Sequence, residues 1–219
     1  MTDQRDYGDE CWERNYNNGR YNRYPYDDIV SFTLRNFRNR SNVLDLGCGG
    51  GNNSFFFINE GHKVFAVDGS ETALELTKKH CLNSSDLICL HNDFKNMSIE
   101  SETIDLIVDR QSMGHNSRND IIEILNELHR VLKVGGKILS HMFSRNHKAL
   151  SYDSYIGDDF FLKFSSGEFS KSGYIYFTNK EDITKIFWKF KLIELRRMFT
   201  ESLINDESIE YFVIEAEKV

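Results

Sequence analysis

Residues 43–53 read Val-Leu-Asp-Leu-Gly-Cys-Gly-Gly-Gly-Asn-Asn. An apolar run that contains one acid, Asp45, leads into glycines at alternate positions, Gly47, Gly49 and Gly51. This order predicts a buried strand, a glycine loop and the start of a helix. Glycine lets a ligand approach the main chain closely, and a helix start offers N–H groups without intrahelical partners. The stretch therefore predicts a nucleotide-type cofactor site after the first strand of a doubly wound sheet, with a glycine turn that binds no ligand as the alternative.

The glycine spacing distinguishes two kinds of cofactor site. The dinucleotide fingerprint is G-x-G-x-x-G, whereas this chain has an acid two residues before three alternating glycines. That pattern resembles the first motif of the Rossmann-like, class I S-adenosylmethionine-dependent methyltransferases. In that family the loop wraps the methionine part of the cofactor and needs no pyrophosphate site. The resemblance implies cofactor contacts from Asp45, Gly47, Cys48, Gly49 and Gly51.

Strand-like and helix-like segments alternate through most of the chain. The predicted strands after the first are 62–67, 87–90, 104–108, 138–143, 191–199 and 210–218, and the predicted helices are 26–37, 53–59, 70–80, 120–132 and 178–190. The segment 127–139, ELHRVLKVGGKIL, closely resembles the helix, turn and strand before the fifth strand of the family, with Val134 replacing the usual proline. The resulting fold class is α/β: a doubly wound, seven-stranded, mostly parallel sheet with an antiparallel last strand, in three α/β/α layers.

An acid closes the second predicted strand. Asp68 lies close to the interval of about 20 residues from the glycine loop at which an acid accepts the ribose hydroxyls. In the resembling family this acid binds the ribose of the cofactor, and Gly69 is assigned to the same site. The alternative is that Asp68 only caps the helix that starts near Ser70.

The third predicted strand is followed by His91-Asn92-Asp93-Phe94. An aspartate here, followed by an aromatic residue, resembles the adenine-binding corner of the family. The resemblance implies that Asp93 accepts from the adenine amino group and that Phe94 packs on the ring, with Asn92 beside them. The alternative is a turn-forming aspartate without a ligand.

The loop after the fourth predicted strand, residues 109–116 (DRQSMGHN), is rich in functional side chains. Strand order reverses beside this strand, and ligands bind outside the carboxyl ends of strands at such a point. The loop is therefore expected to face the transferred methyl group, with Arg110 assigned to the cofactor and Gln111 to the acceptor. A base is required only for a hydroxyl or a protonated amine. The candidate bases are His115, Asp109 and His141.

Asp109 and His141 have an alternative use as ligands of a shared divalent ion. Some O-methyltransferases that resemble this chain use acids at these strand ends. Here the second position is a histidine, and no further carboxylate follows it. We therefore predict activity without a metal.

Two segments outside the alternating core are expected to cover the site. Within residues 1–40, the stretch 12–25 resembles the N-terminal lid of small-molecule methyltransferases. The alternative is that its aromatics pack the N-terminal helix onto the sheet. The expected acceptor contacts are Tyr16, Arg20, Arg23 and Tyr24, because an arginine fork suits a carboxylate or phosphate. Residues 144–178 predict a substrate-side insertion with one or two short strands, or else an aromatic cover for the sheet edge.

Composition limits the function further. The chain has 219 residues, 40% of them apolar, which is enough for one domain over residues 1–219. A net charge of −7 disfavours nucleic acid as a partner. The four cysteines form no CxxC pair, the N-terminal residues are polar, and no apolar stretch reaches about 18 residues. A cytoplasmic protein without a membrane partner is expected.

These patterns predict an enzyme that transfers a methyl group from S-adenosylmethionine to an oxygen or nitrogen of a small molecule, leaving S-adenosylhomocysteine. An anionic sugar or nucleotide-sugar precursor is the favoured acceptor, and the enzyme is expected to be a monomer or homodimer. One alternative is a protein or nucleic-acid methyltransferase, which the acidity and the lack of an N/D-P-P-Y/F motif after strand four disfavour. The other is a cofactor-binding module without catalysis.

Overall fold

The computed structural model describes residues 9–19, 22–151, 154–204 and 208–219. The strands are β1 (Asn42–Leu46), β2 (Lys63–Asp68), β3 (Leu87–His91), β4 (Ile104–Arg110), β5 (Leu132–Phe143), β6 (Tyr155–Asp158), β7 (Phe161–Phe164), β8 (Tyr174–Tyr176), β9 (Lys191–Glu201) and β10 (Ser208–Glu217). Seven of them form the main sheet in the order β3-β2-β1-β4-β5-β10-β9. The predicted antiparallel last strand is confirmed, because β10 runs antiparallel to both β5 and β9.

The strand order reverses at β1, which pairs in parallel with β2 on one side and with β4 on the other. Leu46 at the end of β1 lies level with Val67 in β2 and with Asp109 in β4. The carboxyl ends of these strands therefore meet at one edge of the sheet. In a doubly wound sheet this edge, at the point of reversal, is where ligands bind.

Helices cover both faces of the main sheet, so the predicted three-layer arrangement is confirmed. The helices are α1 (Asp9–Asn17), α2 (Asp27–Asn36), α3 (Asn52–Asn59), α4 (Glu71–His80), α5 (Arg118–Val131) and α6 (Lys180–Ile186). The apolar sides of α2, α3 and α4 share one buried cluster with the sheet, and those of α5 and α6 share another. None of the helices in the described ranges has the length and apolar content that crossing a membrane requires.

Helix α5 shows how directly the sequence specifies an element. Ser117 caps it, since its Oγ accepts a hydrogen bond of 3.2 Å from the Asp120 N–H. Ile121, Ile124 and Leu128 recur at helical spacing and are 0% exposed. The predicted helix 120–132 is thus confirmed, and its last residue passes straight into β5.

The insertion 144–178 contains three short strands, one more than the upper expectation. β6, β7 and β8 form their own antiparallel sheet beside the main one. Phe143, Phe164, Phe169 and Phe177 pack together with ring centroids 4.9–6.0 Å apart. The insertion's phenylalanines therefore pack together against Phe143 of β5, which favours the alternative of an aromatic cover for the sheet.

Candidate functional site

A cavity of about 850 Å³ opens at the carboxyl ends of the central strands. The predicted cofactor residues in its walls are Gly47, Cys48, Gly49, Asp68, Gly69, Asn92, Asp93, Phe94 and Arg110. The predicted acceptor and catalytic residues in its walls are Tyr16, Gln111 and His115. The predicted residues outside its walls are Asp45, Gly51, Arg23, Tyr24, Asp109 and His141. One cavity thus brings together most of the predicted site, from segments far apart in sequence.

The glycine loop after β1 is held so tightly that side chains would not fit. Gly47 has a φ of +67°, and a Cβ there would lie 2.1 Å from Ser112 Oγ. Gly51 has a φ of +81°, and a Cβ there would lie 2.8 Å from the Cα of Thr77. The Thr77 hydroxyl also donates a 2.9 Å hydrogen bond to the carbonyl of Gly49. Helix α4 and the loop after β4 therefore clamp the glycine loop from two sides, and Gly51 shapes the loop without lining the cavity.

Asp45 faces helix α3 rather than the cavity. Its carboxylate accepts hydrogen bonds from the Ser54 hydroxyl at 2.6 Å and the Asn53 amide at 3.4 Å, and it is 1% exposed. Burial raises the pKa of this carboxyl to about 6, against the lowering effect of those hydrogen bonds. This position does not support the predicted direct contact with a cofactor. Asp45 instead fixes the first turn of α3, and with it the glycine loop.

Asp68 lies at the end of β2 and joins the glycine loop to the start of α4. Its Oδ2 accepts a 2.9 Å hydrogen bond from Gly49 N–H, and its Oδ1 accepts one of 2.9 Å from Ser70 N–H. The capping of α4 is performed by Ser70, whose Oγ accepts from Ala73 N–H at 3.0 Å. Asp68 also lines the cavity, so the residue that holds the glycine loop adjoins the space where a diol would bind.

The corner after β3, residues 92–94, forms a turn and also lines the cavity. Asp93 Oδ1 accepts a 2.9 Å hydrogen bond from Lys95 N–H, which is the turn-forming arrangement considered as the alternative. Asp93, Asn92 and Phe94 nevertheless line the cavity. The Lys95 ammonium lies 3.0 Å from Asp120 and 4.0 Å from Asp93. The aspartate therefore has a structural partner and remains available to a ligand.

Helix α1 places two aromatic side chains over the cavity. A Cβ at Gly49 would lie 2.7 Å from the Tyr16 hydroxyl, so Tyr16 occupies space that only glycine leaves open. The Trp12 and His115 rings meet edge to face, with centroids 5.0 Å apart. Burial, followed by the Asp68 carboxylate, raises the pKa of Tyr16 well above its ordinary value. The Tyr16 hydroxyl is therefore a permanent hydrogen-bond donor at neutral pH.

Hydrogen bonds tie α1 to the rest of the molecule at two places. The Glu13 carboxylate accepts from the hydroxyls of Ser70 and Thr72 at the start of α4, and these bonds lower its pKa. Asn15 Nδ2 donates a 2.7 Å bond to the carbonyl of Lys171 in the insertion. The helix thus links the start of α4 to the insertion.

The loop after β4 is shaped by Asp109, which is 0% exposed. Its Oδ1 accepts from the N–H groups of Ser112 and Met113 at 2.9 and 3.0 Å, and its Oδ2 accepts from the Ser140 hydroxyl at 2.6 Å. Gln111 takes a φ of +64°, an uncommon conformation for a non-glycine residue. Because its carboxylate is enclosed, the position of Asp109 does not support a direct catalytic contact. Asp109 holds the turn that places Gln111 in the cavity wall.

The Tyr174 carbonyl favours one tautomer of His115. Its Nδ1 lies 3.1 Å from the carbonyl oxygen of Tyr174, and since a carbonyl can only accept, Nδ1 carries the hydrogen. Nε2 then has the lone pair that a base needs. Burial lowers the pKa of His115 to about 4, against the raising effect of the Tyr174 and Ser172 carbonyls. The imidazole is therefore neutral at physiological pH.

His141 is buried between a helix and a strand, outside the cavity. Its Nε2 lies 2.9 Å from Asp28 Oδ2, and its ring centroid lies 5.4 Å from that of Tyr211. This pairing attaches α2 to β5, so the position of His141 supports a structural role rather than catalysis. No group of three or more histidine, cysteine, aspartate or glutamate side chains suited to a metal occurs among the described residues.

The predicted acceptor contacts on the N-terminal segment divide into three cases. Tyr16 lines the cavity, whereas Arg23 and Tyr24 are exposed at the surface, with the Arg23 guanidinium 5.8 Å from the Tyr24 ring. The Tyr24 main chain is what faces inward, where its carbonyl accepts from Asn52 at 3.1 Å. Arg20 lies outside the described residues. The positions of Arg23 and Tyr24 therefore do not support contact with an acceptor.

The sequence prediction omits other residues of the cavity wall. They are Trp12, Gly19, Asn22, Gly50, Asn52, Asn53, His91, Lys95, Ser112 and Asn116. Asn52 and Asn53 directly follow the glycines, and Ser112 and Asn116 belong to the polar loop after β4. Their proximity to those motifs is a usable signal. Trp12, Gly19 and Asn22 belong to the stretch 12–25, which is expected to cover the site.

Comparison with known proteins agrees with this geometry. Residues 43–136 match the sequence family described as "Methyltransferase domain". The chain is 25% identical over 211 residues to the tRNA N(3)-methylcytidine methyltransferase trm140 of Schizosaccharomyces pombe, covering 89% of this chain and 66% of that protein. It is 27% identical over 127 residues to the ubiquinone biosynthesis O-methyltransferase of Nitrosomonas europaea, covering 55% of this chain and 51% of that protein. The matches thus span about half to two thirds of these relatives' lengths.

A solved structure shows the same fold. It is the 1,6-didemethyltoxoflavin-N1-methyltransferase of Burkholderia thailandensis with bound 1,6-didemethyltoxoflavin and S-adenosylhomocysteine. The TM-score is 0.71 at 15% identity, and the match covers 96% of this chain and 87% of that one. Residues 43–136 therefore form a methyltransferase domain, in a chain that has the fold of the class I S-adenosylmethionine-dependent methyltransferases.

Proposed function

We propose that this protein transfers the methyl group of S-adenosylmethionine to an oxygen or nitrogen of a small-molecule acceptor. The observation that carries the proposal is the single cavity that joins the glycine loop, Asp68 and the His115 loop. The glycine loop has the steric form of a cofactor cradle, because a Cβ at Gly47 or Gly49 would collide with a neighbour. The residues present therefore fit the cofactor that the fold implies.

In this proposal the cavity has two halves. The cofactor half consists of the glycine loop, Asp68 and the corner containing Asp93 and Phe94. The acceptor half consists of Gln111, His115 and Asn116 after β4, with Trp12 packed against His115. Tyr16, on the same helix, covers Gly49 of the cofactor half. The two aromatic side chains exclude water, and the Tyr16 hydroxyl donates a hydrogen bond into the cavity.

Methyl transfer requires mainly that the protein position the two reactants. When bound, S-adenosylmethionine supplies a methyl group already activated by a sulfonium. The loop after β4 holds the acceptor in line with that group, and orientation of this kind supplies much of the rate. Neutral His115 takes the proton from a hydroxyl or ammonium through Nε2. Asp109 acts as a positioning residue for this loop, in place of the predicted contact with the acceptor.

Binding and turnover test the proposal separately. Calorimetry with S-adenosylmethionine and S-adenosylhomocysteine measures occupancy of the cofactor half. An assay for S-adenosylhomocysteine release, run over hydroxyl and amine metabolites including anionic sugars and nucleotide sugars, measures transfer. We expect binding of both nucleosides and turnover on a small acceptor. Failure to bind either nucleoside would contradict the proposal. Binding without turnover on any acceptor would instead support a cofactor-binding module without catalysis.

RNA is a second candidate acceptor, favoured by the similarity to the tRNA methyltransferase of S. pombe over 211 residues. The net charge of −7 is unfavourable for it, because phosphate contacts supply much of the affinity for nucleic acid. An unmodified tRNA transcript included in the same release assay decides between the two. Turnover on tRNA that exceeds turnover on every small molecule would make RNA the acceptor.

We expect Gly49→Ala to weaken S-adenosylhomocysteine binding by at least about tenfold, and Gly61→Ala to leave it unchanged. Both glycines have positive φ, +55° and +84°, so alanine strains the backbone at either position. Only at position 49 does the added methyl group meet a neighbour, the Tyr16 hydroxyl, since nothing lies within 4 Å at Gly61. Calorimetry on both variants is the measurement. Equal affinities would contradict the closed position of α1 over the cofactor half.

We expect activity to be independent of added metal. The Asp109 carboxylate accepts three hydrogen bonds from the protein, and His141 Nε2 faces Asp28, so these side chains are not oriented toward a shared ion. Turnover should be unchanged after treatment with EDTA and dialysis. If activity is lost and magnesium or manganese restores it, the alternative that Asp109 and His141 bind a shared divalent ion would replace this prediction.

A further inference from the structure

Arg110 is the last residue of β4 and lies in the cavity wall, next to Gln111. Its sheet partner in β5 is His141. Its guanidinium stacks on the Tyr26 ring, with Cζ 3.5 Å from the ring centroid. The stacking covers one face of the planar group and leaves the N–H edge as the surface that can bind a ligand.

The charge of Arg110 is not neutralised by a direct ion pair. No carboxylate of the described residues lies within 4.0 Å of its guanidinium, and its buried Nε has no hydrogen-bond partner among them. Tyr26 acts on the guanidinium both electrostatically and through a side-chain hydrogen bond. Tyr211 and Asp28 act on it electrostatically, and the Asp28 carboxylate is already paired with His141. Burial lowers the pKa of Arg110, although the guanidinium stays charged.

The other cation in the cavity wall differs in this respect. Lys95 lies on the cofactor side and is 3.0 Å from Asp120. Arg110 therefore stands out among the cavity's described cationic side chains as one without a direct carboxylate partner. Its Nε is a buried donor without a partner among the described residues, which is costly. An arginine fork matches a carboxylate or phosphate through two parallel hydrogen bonds.

We propose that Arg110 binds a carboxylate or phosphate group of the methyl acceptor, so that the acceptor is a small anion. This inference rests on the proposed function and names its substrate class. Of the two arginines expected to contact an anion, Arg23 is exposed and Arg20 lies outside the described residues. The proposal assigns this contact to Arg110, which lies beside Gln111 in the cavity wall. An anion held at the end of β4 would fix one end of the acceptor while His115 faces the reacting end.

A carboxylate at Arg110 has two possible sources, the acceptor and the methionine part of the cofactor. Calorimetry with S-adenosylhomocysteine and with 5′-methylthioadenosine separates them, because the second nucleoside lacks the amino-acid carboxylate. If Arg110 serves the acceptor, Arg110→Met binds each nucleoside within about twofold of the original protein. A loss of tenfold or more for S-adenosylhomocysteine alone would assign Arg110 to the cofactor and overturn the proposal.

The second measurement detects the anion directly. Protein saturated with S-adenosylhomocysteine is titrated with inorganic phosphate and with acetate at constant ionic strength, with chloride as the reference salt. The ¹⁵Nε–H resonance of Arg110 and the backbone resonance of Gln111 are followed. We expect saturable shifts with phosphate or acetate beyond those with chloride. Arg110→Lys should lower the affinity for the anion, and Arg110→Met should lower it by at least about tenfold.

Arg23→Met is the matched control, since it removes an arginine that is exposed and outside the cavity. It should leave the anion titration unchanged. Shifts no larger than those with chloride in the original protein would overturn the proposal, and this result does not depend on any variant folding. Normal nucleoside binding in that case would leave the proposed function standing. Absence of nucleoside binding would remove the proposed function and this inference together.

Discussion

Asp68→Asn should weaken S-adenosylhomocysteine binding by about 10- to 100-fold. The substitution keeps the shape of the side chain and removes its charge, and hydrogen bonds to charged groups are worth about 1.5–3 kcal/mol against about 0.5–1.5 kcal/mol for neutral ones. The amide also has one oxygen where the carboxylate has two. It cannot accept from both Gly49 N–H and Ser70 N–H, so the glycine loop loses a support as well.

Asp86→Asn is the control for a general effect of charge. Asp86 lies just before β3, at the opposite end of the strands from the cavity, where it pairs with Arg40. Calorimetry should give this variant the affinity of the original protein. Melting temperatures measured alongside separate loss of binding from loss of fold. Unchanged affinity in a folded Asp68→Asn variant would remove Asp68 from the cofactor site.

His115→Gln should lower the maximal rate by about 10²–10⁴-fold, the usual contribution of general-base catalysis. Glutamine can still donate a hydrogen bond to the Tyr174 carbonyl, as His115 Nδ1 does, but it has no basic nitrogen. Cofactor affinity should change little, since His115 lies in the acceptor half. The measurement is steady-state kinetics on the acceptor identified by the release assay, together with calorimetry on S-adenosylhomocysteine.

The pH profile of the original enzyme carries a second signature of His115. Burial disfavours the charged imidazolium and lowers the pKa to about 4. The base form is therefore present at pH 7, and protonation should reduce the rate only as the pH falls toward 4. An acid limb centred near 6.5, the ordinary histidine pKa, would contradict the buried position of this ring.

His129→Gln provides the comparison for the rate. His129 packs against Phe190 at the end of α5, away from the cavity. Its replacement should leave the maximal rate unchanged. If His115→Gln behaves like this control, transfer relies on orientation alone. If His115→Gln loses cofactor binding instead of rate, the ring belongs to the cofactor half.

The sequence predicts the fold well because each layer has a local signal. The glycines after β1 mark the loop, and the spacing of Ile121, Ile124 and Leu128 marks α5. The parallel order follows from alternating strands and helices, since a crossover of this kind packs helices on both faces. The extra strand of the insertion is less predictable, because its phenylalanines form a core with one another and follow no strong period.

The roles of single polar residues depend on partners that the sequence does not place together. Asp109 is an acid at a strand end, as expected of a catalytic group, but Ser140 from β5 and the next turn enclose it. From the sequence, His141 is a candidate catalytic base, but in the fold α2 places Asp28 against its ring. Arg23 and Arg110 are equally basic in sequence, and only the fold exposes one and puts the other in the cavity wall.

The two attachments of α1 bear on how fast the enzyme can cycle. Tyr16 lies over Gly49. In the proposed function, we therefore expect release of the spent nucleoside to require that this helix lifts. Lifting breaks the hydrogen bonds of Glu13 to α4 and of Asn15 to the insertion. Closing and opening steps of this type often limit turnover. We therefore expect the frequency of this movement to set the ceiling on catalytic cycles per second, however rapid the methyl transfer itself is.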